Sequence, residues 1–317
     1  MKSENKNFLY NVVYQGLLYL FPLVTIPYTS RVLEATNIGI YSYTYSIVSL
    51  FMLIGMLGIN NYGNRSISKV RDDKEQLSYT FCSIYYLQLM IMALICGAYL
   101  LYLLFFCKEY QTFFWIQFLH LISVCFDINW FYFGLEQFKL TIRRNLFIKI
   151  FSIILIFLFV KTADDLWIYT LIMASSVLLS QLYLILKFRK FSYFQKVKFA
   201  DILKHLKGCL VLFIPVLAYS IYRVMDKTMI GSISSVTELG YYENAERIIN
   251  IPIAVITALG TVMLPRMSYL LKDDQADYKG PIYDSMKLAL LLSVTMALGL
   301  VLVGQDAALI LFGESFV

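Results

Sequence analysis

The sequence predicts an all-α polytopic membrane protein, arranged as two lobes of repeated six-helix bundles with the first lobe complete and the second about half present. Three observations predict it. The chain is 59% hydrophobic and only 15% charged, with a mean hydropathy of +0.67, far outside the range of soluble domains. Nine apolar stretches are long enough, or nearly so, to cross about 30 Å of hydrocarbon. Landmarks of the first half recur in the second at a constant offset of 201 residues.

The stretches are Phe8–Tyr28, Ile38–Tyr62, Ser78–Phe106, Phe113–Phe133, Leu146–Val160, Leu166–Leu186, Cys209–Ile230, Gly240–Leu264 and Pro281–Val303. The first is no cleavable signal, since it holds Pro22 and Pro27 and is followed by Arg31 rather than a small-residue cleavage site. Its two prolines predict a bent or unwound outer half, tolerated where protein or water satisfies the freed carbonyls. The fifth stretch is short and must extend through Asn145 and Lys161 or thin the bilayer. Arg31 and Glu34 follow the first span, either as an exposed salt bridge or as a functional basic site. Tyr41, Tyr43 and Tyr45 open the second span as an interfacial belt or as a surface on which sugars stack.

Lysine and arginine set the orientation. With the amino terminus inside, the outside segments hold only Arg31, Lys108 and Lys161, and 21 of the 27 basic residues fall inside. The net charge of +6 is therefore topology, and no nucleic-acid partner follows from it. The five cysteines show no C-x-x-C or Cys/His spacing and read as small core residues. His120 and His205 suggest no metal site, and a lone helical His120 reads as a hydrogen-bonded packing residue. Asp127, near the inner end of the fourth span, reads as a carboxylate paired to a neighbouring helix, snorkelling to water or serving transport. Asp164–Asp165 reads as a helix N-cap.

Residues 1–190 form the first lobe with spans 1–6. A basic stretch at 191–207 is a cytoplasmic linker or interfacial helix, and 208–317 is a partial second lobe with spans 7–9. The repeat supports that division: Gly39 aligns with Gly240, Tyr41 with Tyr242, Ile47 with Ile248, Arg65 with Arg266 and Asp72–Asp73 with Asp273–Asp274. Two same-sense copies imply lobes related by an axis along the membrane normal, with a substrate site between them. A complete second lobe would need about three more spans than the chain carries, so a truncated product is expected.

The seventh span sets Arg223, Asp226 and Lys227 on one helical stripe, with Tyr219 a turn earlier. Glu243, Glu246 and Arg247 open the eighth span. Charges at membrane depth are held by partners or by a water-filled cavity, so their default reading is functional. Their sum is zero, which leaves a self-neutralised network holding the helices together as the other reading.

Four segments carry a family resemblance: PLVTIPYTSRVLEATNIGIYSYTYSIVSLFMLIGMLGINNYGNRSIS from Pro22, WFYFGLEQFKLTIRRNLFIKI from Trp130, FVKTADDLWIY from Phe159, and VMDKTMIGSISSVTELGYYENAERIINIPIAVITALGTVMLPRMS from Val224. Together they resemble the polysaccharide repeat-unit flippases (O-antigen, capsule and exopolysaccharide) of the multidrug/oligosaccharidyl-lipid/polysaccharide exporter superfamily, particularly the Gram-positive type. Glu34 departs from that pattern, standing where the family often has Gly in R-V-L-G. The resemblance implies a two-lobe exporter, not an enzyme and without a cofactor or metal. It would sit in the cytoplasmic membrane and move undecaprenyl-diphosphate-linked oligosaccharide from the inner to the outer leaflet by alternating access. Arg223, Lys227, Arg31 and Arg247 would bind the diphosphate. Asp226, Glu246 and Glu243 would serve as counter-charge or coupling carboxylates, with H+ or Na+ as the coupling ion. Tyr219, Tyr222 and Tyr41 would contact sugar. Membrane lipid, a polysaccharide polymerase and glycosyltransferases are the implied partners. A multidrug/cation antiporter of the same superfamily, a peptidoglycan-precursor flippase and a membrane-embedded glycosyltransferase are the alternatives. Arg223→Ala or Lys227→Ala is expected to abolish export at normal protein level.

Overall fold

The computed structural model describes the backbone of residues 2–270 and 279–316, with side chains described for 24–253 and 282–314 and for a few positions beside them. Among these residues the regular structure is helical throughout. The helices are α1 (Lys2–Met56), α2 (Ile59–Val70), α3 (Lys74–Phe105), α4 (Gln111–Cys125), α5 (Asn129–Gly134), α6 (Phe138–Phe159), α7 (Leu166–Phe188), α8 (Phe199–Met229), α9 (Val236–Leu270) and α10 (Lys279–Phe312). Six helical stretches among the described residues are long and apolar enough to cross a bilayer. Leu104, Phe105, Phe106, Leu186, Val301 and Leu302 are each at least 70% exposed, a surface suited to lipid rather than water. The chain is an all-α polytopic membrane protein.

α1 joins the first two apolar stretches into one element of 55 residues, broken only at Glu34 (φ 62°, ψ 172°). Its backbone stays helical through Pro22 and Pro27, so of the two expected outcomes, a bend or an unwinding, the helix does not unwind there. A proline costs one backbone hydrogen bond and bends a helix, whereas the conformation of Glu34 is one that essentially only glycine adopts cheaply. Glu34 is exposed and makes no hydrogen bond or ion pair among the described residues. Glu34→Gly is therefore expected to stabilise the fold by about 1 kcal/mol, the strain relieved exceeding the entropy that glycine adds to the unfolded chain. A lower thermal midpoint for the variant in detergent would contradict this.

The second apolar stretch also ends early. Leu57 (φ 41°) and Gly58 (φ 73°) interrupt the helix before α2 starts. A Cβ on Gly58 would lie 2.7 Å from the Cys209 carbonyl oxygen of α8, so this turn and its helix contact both require glycine. The fourth stretch breaks between α4 and α5. Gln88 of α3 serves that break, donating to the carbonyls of Val124 (2.7 Å) and Asp127 (3.0 Å) while its Oε1 accepts from the Trp130 indole (3.0 Å). Backbone groups freed at membrane depth are thus satisfied by protein. Trp130, Phe131 and Phe188 pack around Phe81 in the core beside this break.

The short fifth stretch is a helix of 22 residues, about 33 Å. It gains its length by running back through Arg143, Arg144 and Asn145 to Phe138, and it stops at Phe159 before Lys161. Asp165 caps the turn ahead of α7, accepting from the backbone N–H groups of Lys161 (2.9 Å) and Thr162 (2.8 Å). Within the basic stretch, residues 191–198 are non-helical, and Phe199 begins α8, which continues without interruption into the apolar seventh span. Tyr79 of α3 donates to Asp201 near the start of α8, and His205 bridges Tyr62 (2.8 Å) and Ser83 (3.1 Å).

Candidate functional site

Two ends of the bundle are distinguished by their turns. The kink end carries Glu34, the Tyr110 turn and the 3-10 turn Ala163–Asp165, where Asn37 donates to the Ala163 carbonyl (2.7 Å). The basic end carries the Arg71–Glu136 ion pair (2.7 Å) and the start of α8.

At the kink end α1 crosses α9 through residues that are 201 apart in sequence. The Thr36 and Thr237 hydroxyls lie 2.9 Å apart, and Ser42 donates to Glu243 Oε2 at 2.7 Å. Between them the backbones touch. A Cβ on Gly39 would lie 1.6 Å from the Val236 carbonyl oxygen, and one on Gly240 would lie 1.9 Å from that of Ala35. Position 236 is itself 201 residues beyond 35, so the contact is reciprocal, as in an isologous interface. The Arg266 side chain and Asp273–Asp274, two other landmarks of the repeat, lie outside the described residues.

One turn further along, the charged residues of α8 and α9 form a single cluster. Lys227 donates to Glu243 (2.7 Å) and to Glu246 (2.8 Å), Arg223 pairs with Glu246 (3.2 Å), and Arg247 pairs with Glu243 (3.6 Å). Tyr242 donates to the Asp226 carboxylate, whose other oxygen accepts from the Lys227 backbone N–H. Lys227, Glu243 and Glu246 each retain a fifth or less of their side-chain exposure, against 41% for Arg223. Three cations and three anions cancel here, and each cation has a carboxylate partner.

The remaining predicted residues lie apart. Arg31 donates to the Ile310 carbonyl of α10 rather than pairing with Glu34, so the expected salt bridge is absent among the described residues. Tyr219 and Tyr222 are exposed on α8. Tyr41 stacks on Tyr45 (5.9 Å) and meets Tyr169 of α7 edge-on (5.0 Å), so it packs inside the bundle instead of forming an interfacial belt. His120 is buried edge-on against Tyr45, and neither ring nitrogen has a hydrogen-bond partner among the described residues. The expected hydrogen-bonded histidine is a packed one. No cluster of three or more His, Cys, Asp or Glu among the described residues is arranged to hold a metal.

A cavity of about 800 Å³ opens between α1, α2, α5, α6, α7 and α9, within the size range of small-molecule sites. Its wall is rich in amides: Asn60, Asn61 and Asn64 of α2, Asn129 of α5, Asn145 of α6 and Gln181 of α7. Its formally charged residues are Asp127, Arg144, Lys149 and Arg247, three basic and one acidic. Of the predicted site residues only Arg247 reaches this wall, so it joins the cavity to the ion-pair cluster. Asp127 accepts from the Asn129 backbone N–H (3.0 Å) and side chain (2.7 Å) just ahead of α5. The sequence reading missed the amides and counted Arg144 and Lys149 as topological charge. The fifth stretch carried the available signal, since Lys149 already lies within it and the extension that its short length demands draws in Arg144 as well.

A family model described as polysaccharide biosynthesis protein matches residues 5–271. The chain belongs to this family. Among curated relatives it is 25% identical over 270 residues to a protein named "Putative O-antigen transporter" from Escherichia coli (strain K12), covering 84% of this chain and 65% of that protein. It is 24% identical over 315 residues to one of the same name from Shigella dysenteriae, covering 98% of this chain and 78% of the relative. The chain thus spans just under two thirds of the length of the Escherichia coli relative. No solved structure matches it significantly.

Proposed function

We propose that this protein is a flippase that carries oligosaccharide linked to undecaprenyl diphosphate across the cytoplasmic membrane, from the inner to the outer leaflet. The observation that carries this reading is the amide-lined cavity inside an otherwise apolar chain. A diphosphate and several sugars cannot enter hydrocarbon without substitutes for their water, and amide and basic side chains supply them. The basic excess in the wall suits an anionic head group and disfavours an organic cation, which sets the antiporter alternative aside. Family membership and the relatives' transporter names support transport rather than catalysis.

In this reading residues 1–190 and 208–317 are two lobes and the reciprocal contact at Gly39 and Gly240 closes one side of the path between them. The basic end, with the amino terminus, faces the cytoplasm. Arg247 is the first phosphate ligand, because it already faces the cavity. Lys227 and Arg223 join it only by exchanging a carboxylate partner, which makes Glu243 and Glu246 the counter-charges that are released and recaptured, with Asp226 held by Tyr242. Arg31, Tyr219, Tyr222 and Tyr41 would have to be brought to the substrate in another conformation.

The test is complementation of a strain deleted for its own repeat-unit flippase. The protein is expected to restore surface polysaccharide, and Arg247→Ala to abolish it at an unchanged amount of membrane protein. Failure of the unsubstituted protein, with lipid-linked units accumulating on the inner leaflet, would defeat the reading.

A further inference from the structure

We infer that the wall of the cavity built around Arg144 is a donor surface that reads acceptor oxygens on the glycan, with Gln181 as the reading group and Arg144 as the residue that orients it; this rests on the flippase reading. Arg144 lies 6% exposed on α6. Its guanidinium donates to Asn145 Oδ1 from Nε (3.2 Å) and Nη2 (2.7 Å), to Asn129 Oδ1 (3.0 Å), and to Gln181 Oε1 (3.3 Å) and the Ser180 carbonyl (3.2 Å). A guanidinium has donors only. Every amide that touches it must therefore present oxygen, which removes the usual ambiguity between amide oxygen and nitrogen.

For Gln181 the consequence is specific. Its Oε1 accepts from Arg144 and also from Asn129 Nδ2 (3.2 Å), while that Asn129 nitrogen is drawn to Asp127 (2.7 Å). Both oxygen sites of Gln181 face protein. Its Nε2 makes no hydrogen bond among the described residues, and the side chain lines the cavity. A neutral donor held in this way suits a neutral acceptor such as a hydroxyl or acetamido oxygen, leaving the diphosphate to the formal cation on the facing helix, Arg247. Because the oxygen is pinned, the amide cannot turn over to accept instead, and the wall distinguishes ligands by what they offer at that point.

Gln181→Glu isolates the idea. The carboxylate keeps an oxygen toward Arg144 and Asn129 but replaces the cavity-facing N–H with an acceptor. The measurement is binding by the purified full chain in nanodiscs, using lipid-linked oligosaccharide extracted from export-blocked cells and, in parallel, bare undecaprenyl diphosphate. The variant is expected to bind the glycan-bearing lipid at least tenfold more weakly than the unsubstituted chain, to lose much less on the bare lipid because the new carboxylate is paired with Arg144, and to keep its thermal midpoint. Should it fail to fold, Gln181→Asn, which withdraws the same amide by one methylene, carries the same expectation. Equal binding of the glycan-bearing lipid by variant and parent, or equal loss for both lipids, overturns the donor wall while leaving the flippase reading intact. No binding of either lipid by the unsubstituted chain overturns both.

Discussion

Lys227→Ala is expected to lower the stability of the protein by about 3–5 kcal/mol, read as a lower thermal midpoint in detergent and a reduced membrane yield. The lysine lies between Glu243 and Glu246 with a fifth of its side chain exposed. Removing it leaves two acids sharing Arg223 and Arg247, the first at 3.2 Å and the second at 3.6 Å. This revises the expectation of normal protein level that follows from sequence alone. It also makes the single variant a poor reporter of substrate binding. The double variant Lys227→Met with Glu246→Gln restores charge balance and is expected to recover most of the stability, since a buried ion pair replaced whole costs little. If that stable double variant exports at the parent rate, Lys227 serves the fold and is no phosphate ligand. If it is stable and inactive, the lysine acts on substrate.

The second large effect is expected at the crossing of α1 and α9. Thr36→Cys with Thr237→Cys should form a disulfide on mild oxidation, because the two hydroxyls are 2.9 Å apart. Export should stop when the bond forms and return on reduction, with each single cysteine variant as the control. A fully cross-linked protein that exports at the parent rate would mean that the two helices do not separate here. Gly240→Ala probes the same contact by repulsion. Its Cβ would lie 1.9 Å from the Ala35 carbonyl oxygen, so the helices must part and the closed arrangement is lost.

The sequence made the fold class legible, because apolar stretches at spanning length have few other solutions. The crossing of α1 and α9 was not foreseen, although the repeat holds its offset. The offset of 201 that aligns Gly39 with Gly240 is the offset at which Thr36 meets Thr237 and Ser42 meets Glu243. Breaks within helices were less legible. Pro22 and Pro27 carry the familiar signal for one, yet the interruption falls at Glu34, whose residue type announces nothing. The charged stripe on α8 was read correctly as one face, but sequence could not say which of its charges meet each other and which meet solvent. The amide wall was invisible for a further reason. Asparagine and glutamine count as ordinary polar residues in any one-dimensional pattern, and only the convergence of Asn129, Asn145 and Gln181 on Arg144 gives them a shared direction.

The neutrality of the cluster on α8 and α9 bears on how the protein responds to an energised membrane. A single elementary charge moved through the whole field requires about 2.3 kcal/mol per 100 mV. Three acids and three bases that travel together carry no net charge through it, so the transmembrane voltage neither drives nor resists their displacement. In the proposed flippase, any electrogenic character would then come from the basic wall of the cavity, where Arg144 and Lys149 lie beside Asp127, and from the cargo with its accompanying ions, rather than from this cluster.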